Sequence, residues 1–458
     1  MMISLFLVLY CSKKHGSGEP LKDYSSVELT PPPNWAINGV LYQIFPRAFS
    51  REGTFRAIQD KLDCIKSLGV NIIWLMPINP IGRKGRKGEM GSPYAVRDPR
   101  RINSDYGTEA DFSNLVQAIH EMGMKIILDI VPNHGSNDHV MMASHPAWFR
   151  RDEMGEFIRK DLAWNDVTDY NYDEPELREY ILKTLIYWIW EFDIDGYRCD
   201  VAGMVPYDFW QEALVKLKAL KNDIYLLAEW EDPEILMTGF HSDYGWTEYH
   251  ALLDIRKGKK KAFAFMDIIY ERDTKYPRND LPMRFLENHD EDRSLSQFGP
   301  EAIEAFATLL FTLPGIPLIY AGQEMGEVSK PSLFEKSVLD WEKRDKSLFL
   351  IYQNLVRLRM SYDCFTKGSF YPLKATSKED SIFAFLREGE SISALIICNL
   401  QSNLDRKIKI DIPGNIKKKY ETFHWENYKN RNLRVIIERL EFEKFYPFQT
   451  EVYIGRKD

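Results

Sequence analysis

The sequence predicts an α/β chain: a (β/α)8 barrel of the TIM type with a loop-rich insertion after its third strand, then a C-terminal antiparallel β-sandwich domain. Three observations lead there. Short, continuously apolar runs alternate with amphipathic helical stretches from about residue 35 to about 365. Several of those runs end on an acidic residue. Beyond about 365 the pattern changes to strand, turn, strand. A chain of 458 residues exceeds one ordinary core, so a large domain and a smaller one are expected. The divisions read as 1–34 (leader-like segment and linker), 35–365 (barrel, with the insertion at 132–173) and 366–458 (β domain).

The elements follow in order. VLYQIFP (40–46) is a short apolar run, suited to a strand buried on both faces. A helix with Phe55, Ile58, Leu62 and Ile65 on one face stops at Gly69. VNIIWLMP (70–77) is the second strand, 109–123 an amphipathic helix ended by Gly123, and KIILDIV (125–131) the third strand. Further strands are expected at 194–199, 224–229, 283–287 and 315–320, with a weak sixth near 245–254. Helices are expected at 174–192, 207–220, 301–312 and 345–360. Repeated strand–helix units with buried strands imply a parallel sheet, and about eight of them imply closure into a barrel. The irregular stretch 132–173 is long for a compact domain, and loops of that length are usually functional. SIFAFLR (381–387), SALIICNL (393–400), RKIKIDI (406–412) and TEVYIG (450–455) read as strands of the second domain.

Composition excludes some functions. The net charge of -8 argues against nucleic acid as a partner. The basic runs RKGRK (83–87) and KGKKK (257–261) are short and read as a solvated loop and a helix end. Cys11, Cys64, Cys199, Cys364 and Cys398 match no zinc or redox spacing, and no disulfide framework is expected; Cys64 and Cys199 read as buried thiols. Aromatic residues make up 13%, which suits stacking on the apolar faces of sugar rings. The run ISLFLVLY (3–10) is too short to span a bilayer and resembles the end of a signal peptide. Cys11 directly after it looks like a bacterial lipoprotein site, which would tether the protein to a membrane. A plain cleaved signal and a cytoplasmic protein are the alternatives.

The strand ends carry the chemistry. In such a barrel, catalytic groups sit at the C-terminal ends of strands. Asp129, with Asn133 and His134, ends the third; Arg198 and Asp200 end the fourth; Glu229 ends the fifth; Asn288, His289 and Asp290 follow the seventh. A ring of acids aimed at one cavity is the equipment for glycoside hydrolysis. One carboxylate attacks the anomeric carbon, and a second, held protonated, gives its proton to the leaving oxygen. A third stabilises the positive charge of the transition state.

DIVPNH (129–134), GYRCD (196–200), AEW (228–230) and ENHD (287–290), in this order, resemble the four sequence regions of the alpha-amylase family, glycoside hydrolase family 13. GVLYQIFPRAF (39–49), LGVNIIWLMPI (68–78), SPYAVRDPRRINSDYGT (92–108) and GIPLIYAGQEMG (315–326) resemble flanking segments, so the likeness covers about 35–360. It implies a retaining glycoside hydrolase acting on alpha-1,4-glucans or maltooligosaccharides through a covalent glycosyl-enzyme. Asp200 is the implied nucleophile, Glu229 the general acid/base and Asp290 the transition-state stabiliser. The implied substrate-binding set is Tyr94, His134, Arg198, His289 and Asp98. Within it, Tyr94 is an aromatic platform, the histidines hydrogen-bond the sugar, and Arg198 orients the nucleophile and keeps it ionised. Asp98 and Asp129 fix the loops and Arg198, and Asn133 ties its loop.

Calcium-binding members often carry Lys-His where this chain has Gly203 and Met204. No cofactor is required, and calcium is left open, with Asp161, Asp166, Asp169 and Asp173 as the available acids of the insertion. A transglycosylase or an alpha-1,6-glucosidase would use the same triad. A non-catalytic glucan-binding protein on the same fold is the alternative from another class.

Overall fold

The computed structural model describes residues 22–420, 422–430, 434–435, 437 and 440–457. Cys11 and the apolar run before it lie outside the described residues. Seven parallel strands form the central sheet: β1 Leu41–Ile44, β2 Ile72–Leu75, β3 Lys125–Ile130, β4 Gly196–Cys199, β5 Tyr225–Ala228, β6 Met283–Arg284 and β7 Ile316–Tyr320. Their spatial order is β5-β4-β3-β2-β1-β7-β6. Residues of β1, β2, β4, β5 and β7 are buried throughout, as expected of strands covered on both faces.

The sixth position differs from the expectation. Residues 246–256 are helical, and the barrel is completed just before them, by 241–245. Parallel bridges join Leu227 to Ser242 and Tyr244 to Met283. His241 N–H donates to the Leu226 carbonyl at 3.0 Å, and Met283 N–H to the Asp243 carbonyl at 2.8 Å. This segment, HSDYG, has no apolar run because it spans only a few residues and buries the carboxylate of Asp243 against Arg272 at 2.5 Å.

Around the sheet lie α1 Leu62–Leu68, α2 Glu109–Glu121, α3 Pro175–Phe192, α4 Tyr207–Leu220, α5 Trp246–Arg256, α6 Ala264–Lys275, α7 Ile303–Thr312 and α8 Lys346–Ser361. Gly69 ends α1 in the left-handed region at φ 97°, which a side chain would disfavour. Thr108 and Asp111 close α2 with a reciprocal capping box. The sequence gives no clear periodic signal for α6. The insertion is not structureless: His134–Ser136 pairs antiparallel with Val167–Asp169, over buried Trp148, Phe149 and Tyr170. The polar segment expected as a free linker is partly fixed, since Tyr24 and Leu29 N–H groups donate to the carbonyls of Lys275 and Arg278.

The C-terminal strands are β8 Ser369–Thr376, β9 Ile382–Glu388, β10 Ile392–Asn399, β11 Asp405–Asp411, β12 Phe423–Asn427, β13 Arg434–Val435, β14 Leu440–Phe445 and β15 Thr450–Lys457. The first half of β8 pairs with β9 and its second half with β11, both antiparallel, so one sheet folds over a single core. Side chains alternate along the central strands. Phe383, Phe385, Ala394 and Ile396 face the barrel, while Ala384, Leu386, Leu395 and Ile397 face the domain's own core. Among the described residues Cys64, Cys199, Cys364 and Cys398 are free thiols; Cys64 is half-buried and the others buried.

Candidate active site

The ends of β3, β4 and β5 and the loop after β6 turn their side chains into one hollow of about 460 Å³, counting its open mouth. Tyr94, His134, Asp200, Glu229, His289 and Asp290 line it. Arg198 stands beneath, fully buried. Its Nη1 donates to Asp129 Oδ1 at 2.8 Å and to Asp200 Oδ1 at 3.0 Å. Its Nη2 lies 2.6 Å from Glu229 Oε1, off the line of a hydrogen bond, and its Nε donates to the Tyr244 hydroxyl at 3.0 Å. One guanidinium therefore holds both acids of the expected pair. Trp74, Tyr94 and Tyr244 surround it, with ring centroids 5.5–5.8 Å from the guanidinium carbon.

Glu229 is raised well above the usual glutamate range. Burial is the main cause; Arg198 opposes it, and the charges of Asp200 and Asp290 add to it. Glu229 Oε2 accepts the N–H of Val201 at 2.6 Å. Val201 lies at φ 38°, a conformation that costs a β-branched residue energy, and this turn aims its N–H at Glu229. A general acid held protonated beside an anchored carboxylate is the requirement of glycoside hydrolysis.

A second network orders the sugar-facing side. Burial lowers His289 to about 3, so its ring is neutral. Gln43 Nε2 donates to its Nδ1 at 2.8 Å, which leaves the proton on Nε2. That nitrogen faces the Tyr94 hydroxyl at 2.6 Å and Asp290 Oδ2 at 3.1 Å. Tyr94 in turn donates to Asp129 Oδ2 at 3.0 Å and stacks on His289 with centroids 5.4 Å apart. Burial pushes the Asp129 carboxyl up to about 7, against the pull of Arg198. Asp290 is fixed at its backbone, where its N–H donates to Asn288 Oδ1 at 2.8 Å and its carbonyl accepts Lys330 Nζ. His134 Nε2 stands 3.9 Å from Asp200 Oδ2, and Asn133 donates to the neighbouring His134 Nδ1 at 3.2 Å.

Three placements differ from the sequence reading. Asp98 was expected in the substrate-binding set, but its carboxylate accepts the N–H of Arg100 at 3.1 Å in its own loop, and it is not among the residues lining the hollow. Arg198 lies under the acids, so it positions them from below. The basic run 83–87 was expected to be solvated throughout, yet Lys87 enters the hollow and pairs with Asp166 at 3.0 Å. The insertion acids are engaged separately. Asp161 accepts Ala163 N–H at 2.8 Å, and Asp169 accepts Lys160 N–H at 2.9 Å. Among the described residues no three His, Cys, Asp or Glu side chains are grouped to hold a metal.

Sequence reasoning missed Gln43, Trp74 and Tyr244, which hold the functional groups, and Lys87, Trp164 and Phe334, which line the hollow. Gln43 and Trp74 sit inside the apolar strand runs, where a polar Gln among hydrophobic neighbours was the available signal.

Residues 43–145 and 140–342 match the family model described as alpha amylase, catalytic domain. Alpha-amylase MalA of Haloarcula japonica is 31% identical over 393 residues, covering 81% of this chain; this chain spans 56% of that relative's length. The intracellular maltogenic amylase of Bacillus subtilis is 28% identical over 82% of this chain and 73% of its own. The crystal structure of a maltogenic alpha-amylase, AmyB, from Thermotoga neapolitana superposes with a TM-score of 0.84 at 32% identity, over 92% of this chain and 99% of that one.

Proposed function

The chain belongs to the alpha-amylase family, and from that premise we propose that it is a retaining glycoside hydrolase cleaving alpha-1,4-glucosidic bonds of maltooligosaccharides. The single observation that carries this reading is the shared anchoring of Asp200 and a proton-holding Glu229 on Arg198. Asp200 attacks the anomeric carbon and forms an ester to it as the bond to the leaving sugar breaks. Glu229 gives its proton to the leaving oxygen in the same step. Glu229, now a carboxylate, then takes a proton from water, which attacks the anomeric carbon and releases Asp200. Asp290 faces the charge that develops on the ring, and the Gln43–His289–Tyr94–Asp129 chain of hydrogen bonds holds the side of the hollow next to it in a fixed arrangement.

The test is a product profile. Protein is incubated with maltoheptaose, panose, pullulan, sucrose and trehalose beside an Asp200→Asn control. Short maltooligosaccharides from maltoheptaose, absent in the control, are expected. Products longer than the substrate would instead make it a transferase, and activity confined to panose or pullulan an alpha-1,6-glucosidase. Unchanged activity in the control would remove Asp200 from the chemistry.

For location, the apolar run and Cys11 support export with a lipid anchor, and the name of the Bacillus subtilis relative supports an intracellular enzyme. Among the described residues no helix is long and apolar enough to cross a membrane. Fractionation of the natural host's cells, with Cys11→Ser as the comparison, separates the two. A membrane-bound native form released by the substitution supports the anchor, and a soluble native form removes it.

A further inference from the structure

Three loops meet across one end of the hollow. Lys87, on the loop after β2, donates from Nζ to the Ala163 carbonyl at 2.6 Å and pairs with Asp166 Oδ1 at 3.0 Å, both in the insertion. The same ammonium stands 5.8 Å from the ring centroid of Phe334, on the loop after β7. The backbones are joined as well. Met90 N–H donates to the Phe334 carbonyl at 2.8 Å. Arg47, buried, reaches the Leu333 carbonyl at 2.7 Å and the Gly91 carbonyl at 3.2 Å. Gly88 sits at φ +61°, and a Cβ there would stand 2.7 Å from the Phe334 carbonyl, so the two loops are in direct contact.

Lys87, Asp166 and Phe334 line the same hollow as the acids. Lys87 and Phe334 come from the loops after β2 and β7, the strands that flank β1, so the wall stands away from the β5 side of the hollow and on the glycone side. Glu229, which must face the leaving sugar, comes from β5. The Asp166 side chain is 5% exposed and that of Lys87 27%, so this pair is largely out of water, where a charge pair is not readily opened.

We propose that Lys87, Asp166 and Phe334 form a specificity-determining wall that ends the cleft on the glycone side, so that the enzyme engages maltooligosaccharides by their non-reducing end. The wall presents an ammonium and a carboxylate to the free hydroxyls of the terminal sugar and leaves no path for a chain that continues beyond it. Interior cleavage of long glucans is thereby disfavoured against release of short products. This inference rests on the hydrolase reading above and adds a direction of attack to it.

Two maltoheptaosides test it, one with a free non-reducing end and one capped there by a 4,6-O-ethylidene group, with products separated by chromatography. The wild type is expected to cleave the free substrate and to cleave the capped one about 100-fold more slowly, the scale at which a shaped site rejects a misfitting group. Lys87→Ala and Phe334→Ala are each expected to raise the ratio of capped to free turnover by about tenfold. A general loss of packing would lower both rates and leave that ratio where it was. Comparable cleavage of both substrates by the wild type would overturn the wall, as would an unchanged ratio in both folded variants. If the wild type cleaves neither substrate, the hydrolase reading falls and the wall with it. If it cleaves both equally, only the wall falls.

Discussion

Arg198 is the residue on which the charge balance of the site turns. Three carboxylates, Asp129, Asp200 and Glu229, contact one buried guanidinium, so the cavity carries more negative than positive charge before substrate arrives. Burial and the neighbouring acids make a proton on Glu229 the cheapest relief, and that proton is the one the leaving sugar needs. Glu229→Gln keeps the shape and removes the proton. Its kcat on maltoheptaose is expected to fall by about 10²–10⁴-fold, with little change in fold by circular dichroism. The pH profile carries the same argument. Glu229 is the acid of the first step, so activity is lost on the alkaline side as Glu229 deprotonates. Because its value is raised, that alkaline limb is expected well above the ordinary glutamate value of about 4.3. A rate already falling with rising pH near that ordinary value would contradict the assignment.

At the scale of elements, the turn after β4 explains a departure from the family pattern. A Cβ added at Gly203 would stand 2.1–2.4 Å from the indole ring of Trp230, the residue that follows Glu229. No side chain fits there, so the lysine that other members place at this point is sterically excluded by the indole. Gly203→Ala is expected to displace Trp230, to cost about 1–3 kcal/mol of stability by overpacking, and to lower kcat through Glu229. Thermal melts and initial rates check both, and a variant with wild-type melting and rate would show the indole to be freely displaceable. Strands β1 to β5 and β7 were readable because burial on both faces leaves mostly apolar runs, broken by Gln43 in β1 and Arg198 in β4, buried polar residues that serve the site, and an acid ending such a run stands out. The sixth barrel position was misplaced because two bridges suffice to close the ring there, and no apolar run is needed. Lys87 was read as solvated because its partners, Ala163 and Asp166, lie more than seventy residues away in sequence. Gln43 was passed over because its partner His289 is 246 positions distant. Side chains that act through long-range contacts leave little local signal, whereas those on strand ends leave a strong one.

For the whole molecule, the barrel core extends under one face of the C-terminal sheet, whose other face covers a core of its own. One face of the C-terminal sheet packs on the barrel, and Arg387 of β9 reaches across to donate to the Thr312 carbonyl at the end of α7, at 2.8 Å. The barrel also buries acids held by neutral donors. Glu231 accepts from the N–H and hydroxyl of Thr247, and burial pushes it up to about 8. Glu324 accepts from the Tyr42 hydroxyl at 2.7 Å and is pushed up to about 7. Both folded values lie above the unfolded one of about 4.3, so the folded state binds the extra protons. Their contribution is fully present below about pH 4 and is lost as pH rises through about 7 to 8. Melting temperature is therefore expected to decline from about pH 5 to about pH 8, where these groups hold protons only in the folded state, and Glu231→Gln is expected to flatten that decline. A melting temperature rising across this interval would contradict the account.

For the molecule as a catalyst, the most direct measurement is to trap the intermediate. The enzyme is incubated with 5-fluoro-alpha-glucosyl fluoride, a substrate that forms the glycosyl-enzyme faster than water clears it, and is analysed by intact mass and peptide mapping. A gain of one fluoroglucosyl unit per chain is expected, mapped to Asp200 and absent from Asp200→Asn. A label on a different carboxylate, or turnover without any adduct and with inverted anomeric configuration in the first-formed product, would contradict it.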